Sequence, residues 1–153
     1  MDLNNETKEL DKIIRDINKC LVEYTKDSLK ENGLTMPRFL VLWHITKYEP
    51  VNMSVLHEKM FMANSTLTVI VDKLVKEDLV KRYRNPEDRR EVLLELTKKG
   101  NDLLLKMLNI RQSFLENSLD YLELDKQKEL IKLLEPVLNN LEKNIKKGDE
   151  DSG

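Results

Sequence analysis

NPEDRREVLLELTKKG occupies residues 85–100, shortly after NSTLTVIVDKLVKE at 64–77. These two stretches decide the fold. Asn85-Pro86-Glu87-Asp88 is turn chemistry. It lies between two strand-like segments, Leu79 to Arg84 and Glu91 to Leu96. Val80 and Tyr83 mark the first, and Val92, Leu94 and Leu96 alternate along the second. Upstream, Leu67, Ile70, Val71, Leu74 and Val75 recur at three- and four-residue steps. That spacing predicts a helix with one aliphatic face, and Asn64 is the expected N-cap. Its first turns put small or polar side chains, Ser65, Thr66 and Thr68, on the other face.

Outward from this centre the pattern is helical. Leu10, Ile13, Ile14, Ile17, Leu21 and Tyr24 form an apolar stripe that predicts a helix over 6–30, stopped by Asn32-Gly33. Thr35 is the expected cap of the next helix, over 36–47, with Pro37 in its first turn. Phe39, Leu40, Leu42, Trp43 and Ile45 make that helix apolar on most sides, so it is expected to be central. Glu49-Pro50 marks a break, Ser54 is expected to cap a short helix to Met60, and 61–63 form a turn. Beyond the hairpin, Thr97 caps a long helix over 98–122. A last helix starts at Leu124-Asp125 and reaches about Lys147. Pro136 falls inside it, but Leu130, Leu134, Val137, Leu141 and Ile145 keep their spacing, which favours a kink over two separate helices. The tail from Gly148, GDEDSG, is polar and expected to be disordered.

The 153 residues suffice to bury a core without disulfides, and charged residues make up 35% of them, which suits a helix-rich soluble chain. Cys20 is the single cysteine, so no internal disulfide forms and a reducing, cytoplasmic setting is the default. MDLNNETKEL is not a signal peptide, and no apolar run approaches the ~20 residues that span a membrane, so no membrane partner is expected. The net charge of −2 argues against a non-specific nucleic-acid coat. Its distribution matters more: residues 73–99 hold nine Lys/Arg against six Asp/Glu.

Helix, short helix, turn, helix and two strands is the layout of a winged helix-turn-helix. In that motif the second helix must bring small or polar side chains close to base edges at its N-terminal end. Asn64, Ser65, Thr66 and Thr68 fit that task, and free N–H groups at a helix start favour phosphate. Arg89 and Arg90 on a thin hairpin can reach a minor groove, whose negative potential is concentrated where it is narrow. Asp88 beside them is expected to hold a wing arginine through paired hydrogen bonds. Lys81, Arg82 and Arg84 are candidate phosphate contacts or else ordinary strand charges, and Lys73 is a further candidate DNA contact.

From about residue 8 to 146 the chain resembles the MarR family of transcription regulators (multiple antibiotic resistance regulator). GLTMPRFLVLW at 33–43 resembles the family's second helix. NSTLTVIVDKLVKEDLVKR at 64–82 resembles its recognition helix and first wing strand, and residues 85–100 resemble its wing. The resemblance implies a mainly α fold with a small β-wing, in one domain over 1–153. Residues 6–33 and 98–147 would be dimerisation helices, 34–97 the winged helix-turn-helix and 148–153 a disordered tail. It implies an obligate homodimer on double-stranded DNA carrying an inverted-repeat operator. It also assigns Asp88 and Arg90 to an Asp-x-Arg wing element. The chain departs from the family at two positions: Val69 stands where arginine is usual, and Asn64 where lysine is frequent. The reading face is therefore nearly uncharged, which shifts the expected readout to hydroxyls, to thymine contacts by Val69 or threonine methyls, and to the wing.

Tyr24, Arg38, Phe39, Trp43 and His44 fall where the family places a pocket for a small, often aromatic effector, although core packing is the stronger reading for Phe39 and Trp43. No cofactor or metal is expected. Zinc sites usually take three or four protein ligands, and no histidine follows His57. Cys20 lies well inside the first helix, unlike the peroxide-sensing cysteine of one family branch, and reads as structural or incidental. Met36, Met53, Met60, Met62 and Met107 read as core. No nucleophile–base pair or phosphate loop points to an enzyme. The expected activity is sequence-specific DNA binding by a regulator, most simply a repressor released by a small ligand. The alternative is a winged-helix protein-interaction module without DNA binding.

Overall fold

A computed structural model describes residues 4–60 and 62–150, the last five of these by backbone alone. Helix α1 spans Asn5–Glu31, α2 Met36–Tyr48, α3 Met53–Met60, α4 Asn64–Lys76, α5 Lys98–Leu119 and α6 Leu124–Glu150. Strands β1 (Val51–Asn52), β2 (Val80–Arg84) and β3 (Val92–Leu96) form an antiparallel sheet in the order β1-β3-β2. The chain divides into two compact units between Ser113 and Phe114.

In the first unit the core gathers around α2. Val41, Leu42 and Ile45 are fully buried there, together with Leu56 of α3 and Leu67, Val71 and Leu74 of α4. Val80 and Leu94 bring the sheet into the same cluster, and Leu104 and Met107 bring α5. The expected centrality of α2 holds, but Leu40 and Trp43 turn out of the core and are exposed. Met107 is in the core and Met36, Met53, Met60 and Met62 pack against it. The wing hairpin pairs Val80 with Leu96 at its base and Arg84 with Val92 near its tip.

Helix boundaries follow the sequence signals, while several caps sit elsewhere. Gly33 adopts φ +68 just past α1, as the stop signal requires. Thr97 caps α5, its hydroxyl accepting from the Gly100 N–H at 3.0 Å. Thr35 occupies the N-cap of α2 but forms no side-chain cap bond. Asn52, rather than Ser54, caps α3: its Oδ1 accepts from the Val55 N–H at 2.9 Å. Ala63 occupies the N-cap of α4, so Asn64 is its first helical residue and not its cap. Strand β1 has no counterpart among the sequence expectations; it is only two residues long and pairs Val51 with Leu94. The turn expected over 61–63 includes Phe61, which lies outside the described residues.

The base of the wing is tightly built. The Leu79 carbonyl accepts from the Thr97 N–H at 3.1 Å, and the Thr97 hydroxyl donates to the Asp78 carbonyl at 2.7 Å. Asp78 takes φ 58, a left-handed conformation that aspartate tolerates. Gly100 lies against this turn so closely that a Cβ would stand 1.9 Å from the Leu79 oxygen. Only hydrogen fits at that position without backbone movement.

The second unit begins in the last turns of α5. Gln127 donates to the Leu119 and Leu122 carbonyls at 3.4 and 3.0 Å, closing the end of α5. Helix α6 then continues through Pro136 as one element. It also continues through Gly148 to Glu150, which corrects the expected disordered start of the tail; residues 151–153 lie outside the described residues. Its apolar stripe of Leu130, Leu134, Val137, Leu141 and Ile145 is exposed within this chain. In the first unit, Leu10, Ile13, Ile14 and Ile17 on α1 are exposed likewise.

Candidate nucleic-acid interface

Helix α4 is amphipathic in the manner its sequence requires. Leu67, Val71 and Leu74 are fully buried, which turns Ser65, Thr66, Thr68, Val69 and Lys73 outward. Asn64 is exposed at the first turn. Val69 is 68% exposed, although the helix offers buried positions two residues away on either side. Most of its isopropyl surface is open to solvent. The Thr68 hydroxyl donates to the Asn64 carbonyl at 2.9 Å, so its proton is engaged and its lone pairs remain to accept. Ser65 and Thr66 carry the hydroxyls on the exposed face beside Val69.

The wing tip is held by local hydrogen bonds. Asn85 N–H donates to the Glu91 carbonyl, and Glu91 N–H to the Asp88 carbonyl, both at 2.9 Å. Arg84 Nη1 donates to the Arg89 carbonyl at 2.8 Å. Asp88 departs from expectation. Its Oδ1 accepts from the Arg90 backbone N–H at 3.0 Å, and among the described residues it forms no ion pair with a wing guanidinium. The short aspartate side chain closes its own turn instead, through the N–H two residues ahead. Arg89 and Arg90 therefore leave the tip with exposed side chains and no carboxylate partner among the described residues.

Below the tip, charges pair within the fold. Arg82 Nη2 bonds Asp72 Oδ1 at 2.7 Å, tying β2 to α4. Lys81 pairs with Glu95 across the hairpin, and the Tyr83 hydroxyl donates to Glu95 at 2.8 Å. The Lys81 and Tyr83 hydrogen bonds hold the Glu95 carboxyl below its usual range. The Tyr83 phenol is pushed up, chiefly by its bond to Glu95. Lys81 and Arg82 are thus engaged in holding the hairpin, as exposed Arg84 is through the Arg89 carbonyl, whereas Lys73 carries an exposed cationic side chain. Sequence reading missed Glu91, whose two carboxylate oxygens accept from Asn52 and Asn85. The signal available was only two asparagines at turn positions, one of them 39 residues away.

The five residues expected to line an effector pocket are dispersed. Phe39 and Trp43 line a cleft of about 280 Å³ with Asn18, Leu21, Val22, Thr25, Met36, Leu40, Leu108 and Arg111. Tyr24 lies instead on a separate groove with Asp102, Leu105 and Lys106. Arg38 is 6% exposed and acts as an internal strut: its guanidinium donates to the Gly33 carbonyl at 3.1 Å and pairs with Glu77. His44 does not border the cleft. It stands edge-on to Trp43 at 5.0 Å and stacks on Tyr48 at 6.0 Å, and its buried Nδ1 has no hydrogen-bond partner among the described residues. Burial, with Lys47 and Lys59 nearby, lowers its pKa. Cys20 is a free, exposed thiol on α1.

A short helix, a turn, a second helix with an exposed hydroxyl-and-methyl face, and an arginine-tipped hairpin define a winged helix-turn-helix protein. The family model described as MarR matches residues 34–92, the whole of this motif through the first residue of β3. The HTH-type transcriptional regulator SarZ of Staphylococcus epidermidis is 34% identical over 130 residues, covering 84% of each chain. A solved MarR family protein from Bacillus stearothermophilus superposes with a TM-score of 0.83 at 26% identity, over 92% of this chain and 99% of that one. A MepR variant from S. aureus, solved bound to an oligodeoxyribonucleotide, shares the fold at 16% identity, with a TM-score of 0.65 over 86% and 97% of the two chains. The chain belongs to the MarR family.

Proposed function

We propose that this protein is a sequence-specific DNA-binding transcription regulator that works in the cytoplasm as a homodimer on an inverted-repeat operator, most simply as a repressor. The observation that carries this reading is the pairing of two exposed features. One is the Ser65-Thr66-Val69 face of α4; the other is the arginine-tipped wing, tied to α4 through Asp72 and Arg82. The relatives named as HTH-type transcriptional regulators support it, as does the DNA-bound MepR variant. No helix among the described residues is long and apolar enough to cross a membrane.

Each α4 would enter a major groove, about 34 Å from its mate in a two-fold dimer. Ser65 and Thr66 can donate to or accept from base edges or phosphates, and Val69 suits the methyl group of thymine. Asn64, Thr68, Lys73 and Arg84 would contact the backbone, and Arg89 and Arg90 would enter the neighbouring minor groove. Asp88 shapes the tip by holding the Arg90 N–H. The exposed apolar stripes of α1 and α6 support dimerisation, since patches of this kind are seldom left in water. The cleft beside Phe39 and Trp43 suits a small aromatic effector, its apolar walls broken by Asn18 and Arg111. Such a ligand would act by favouring the dimer geometry that misfits the operator, to the extent of its differential affinity.

Selection of bound sequences from random duplexes tests the reading, with the winners titrated over a range of salt. Enrichment of an inverted repeat containing thymine at fixed half-site positions, with a steep salt slope, is expected. No enrichment at low salt would sink it and leave a protein-interaction module as the better account.

A further inference from the structure

Glu91 has no part in the DNA contacts above, yet it joins two segments that the chain keeps far apart. Its Oε1 accepts from Asn52 Nδ2 at 2.5 Å and its Oε2 from Asn85 Nδ2 at 2.6 Å. Asn52 caps α3, the first helix of the helix-turn-helix, and Asn85 begins the turn at the wing tip. Both carboxamides are already oriented by backbone donors. Asn52 Oδ1 accepts from the Val55 N–H at 2.9 Å, and Asn85 Oδ1 from the Glu87 N–H at 3.0 Å. With their oxygens turned to those donors, both asparagines face Glu91 with their amino groups. Position 91 must supply two acceptors on one planar group, which an ionised carboxylate does and a neutral amide does not. The two amide donors hold the Glu91 carboxyl below its usual range, in keeping with that demand.

The geometry points to Glu91 as the positioning residue of the DNA-binding unit: it locks the N-terminus of α3 to the turn of the wing and so fixes where Arg89 and Arg90 stand. This rests on the regulatory reading above. The wing tip has no apolar core of its own, since residues 86–90 are all exposed. Arginines on an unanchored hairpin would lose freedom on binding DNA, and that cost weakens affinity. A clip made before DNA arrives removes part of it.

The sign of one substitution separates this role from simple electrostatics. If Glu91 were only a negative charge near phosphate, E91Q would tighten DNA binding. As a double acceptor lost, E91Q sets an amino group against one of the two asparagines. It should weaken operator binding about tenfold, the size of a broken charge-assisted hydrogen bond. The salt slope should stay unchanged, because no cation is removed. Amide exchange over 85–91 should quicken in the free protein. Pairing E91Q with N85D restores both bonds at the original net charge. The amide then present at position 91 can donate to the carboxylate then present at position 85, while its oxygen accepts from Asn52. That double variant should return to within about twofold of wild type. Asn85→Ala, which removes the wing arm of the clip together with the turn bond to the Glu87 N–H, should lose at least as much as E91Q should E91Q itself fold poorly.

The measurements are fluorescence anisotropy with the selected operator, together with hydrogen exchange on the free full-length chain. Operator binding by E91Q at or above wild-type strength overturns the role, and so does a double variant as weak as E91Q. Wild-type protein that enriches no sequence overturns the regulatory reading and this role together; wild-type binding with an unaffected E91Q overturns this role alone.

Discussion

Helix α4 and the wing are the two parts proposed to meet DNA, and they are held by different forces. Three fully buried aliphatic residues, Leu67, Val71 and Leu74, fix the orientation of α4. The wing tip buries nothing between residues 86 and 90, and its shape rests on Arg84, Asn85, Asp88 and Glu91 making hydrogen bonds. Packing is indifferent to mild changes of pH and salt, whereas bonds to charged groups are not. The helix should therefore behave as a rigid part of the core and the wing as a separately adjustable arm.

The strongest way to break this contrast is at the helix. Leu67→Ala opens a cavity beneath α4 and is expected to cost about 2–5 kcal/mol of folding stability. Denaturant titration measures it. A loss under about 1 kcal/mol would mean that packing does not set the helix.

Arg89→Ala with Arg90→Ala sharpens the contrast from the other side. The bonds these residues make inside the tip use the Arg89 carbonyl and the Arg90 N–H, both retained in alanine. The pair should thus leave the melting temperature almost unchanged. Operator affinity should fall about a hundredfold, and the salt slope by about two. A large drop in melting temperature would show the wing arginines to be structural.

The smallest effect is expected from acid. Glu91 and Glu95 have lowered carboxyl pKa values in the folded wing. Their contribution is present above the ordinary value of 4.5 and is lost as the pH falls through the lower folded values. Tyr83 works in the opposite sense: its raised pKa gives a contribution present below 10.0 and lost as the pH rises through the folded value. Protection factors of wing amides should therefore fall as the pH drops below 4.5, while amides of α4 stay protected. Simultaneous loss in both regions would remove the distinction between them.

Much of this is legible in the sequence, for identifiable reasons. Apolar stripes place α1, α4 and α6, cap and break signals place α2, α3 and α5, and the Asn-Pro-Glu-Asp turn places the hairpin. Contacts between distant segments are not legible. Strand β1 has two residues, too few for any alternation to register, and it exists because β3 has a free edge for it. Arg38 reads as a pocket residue because nothing in its neighbourhood reveals Glu77, its partner 39 residues on. Caps slip by one or two residues where several hydroxyl or amide side chains compete, as Asn52 and Ser54 do before α3. Asp88 reads as a side-chain partner because its type suits an arginine, but its Oδ1 accepts from the backbone of its own turn.

The contact between Gly100 and the Leu79 carbonyl leaves no room for a methyl group. Together with Thr97, it stitches both ends of the hairpin to the start of α5. The base of the wing is thus a fixed socket, and any variation in wing length must be taken up at the far end, between Asn85 and Glu91. Tips of different length and charge become interchangeable attachments on one frame. A protein built this way can change what its hairpin touches without disturbing the helix that reads beside it.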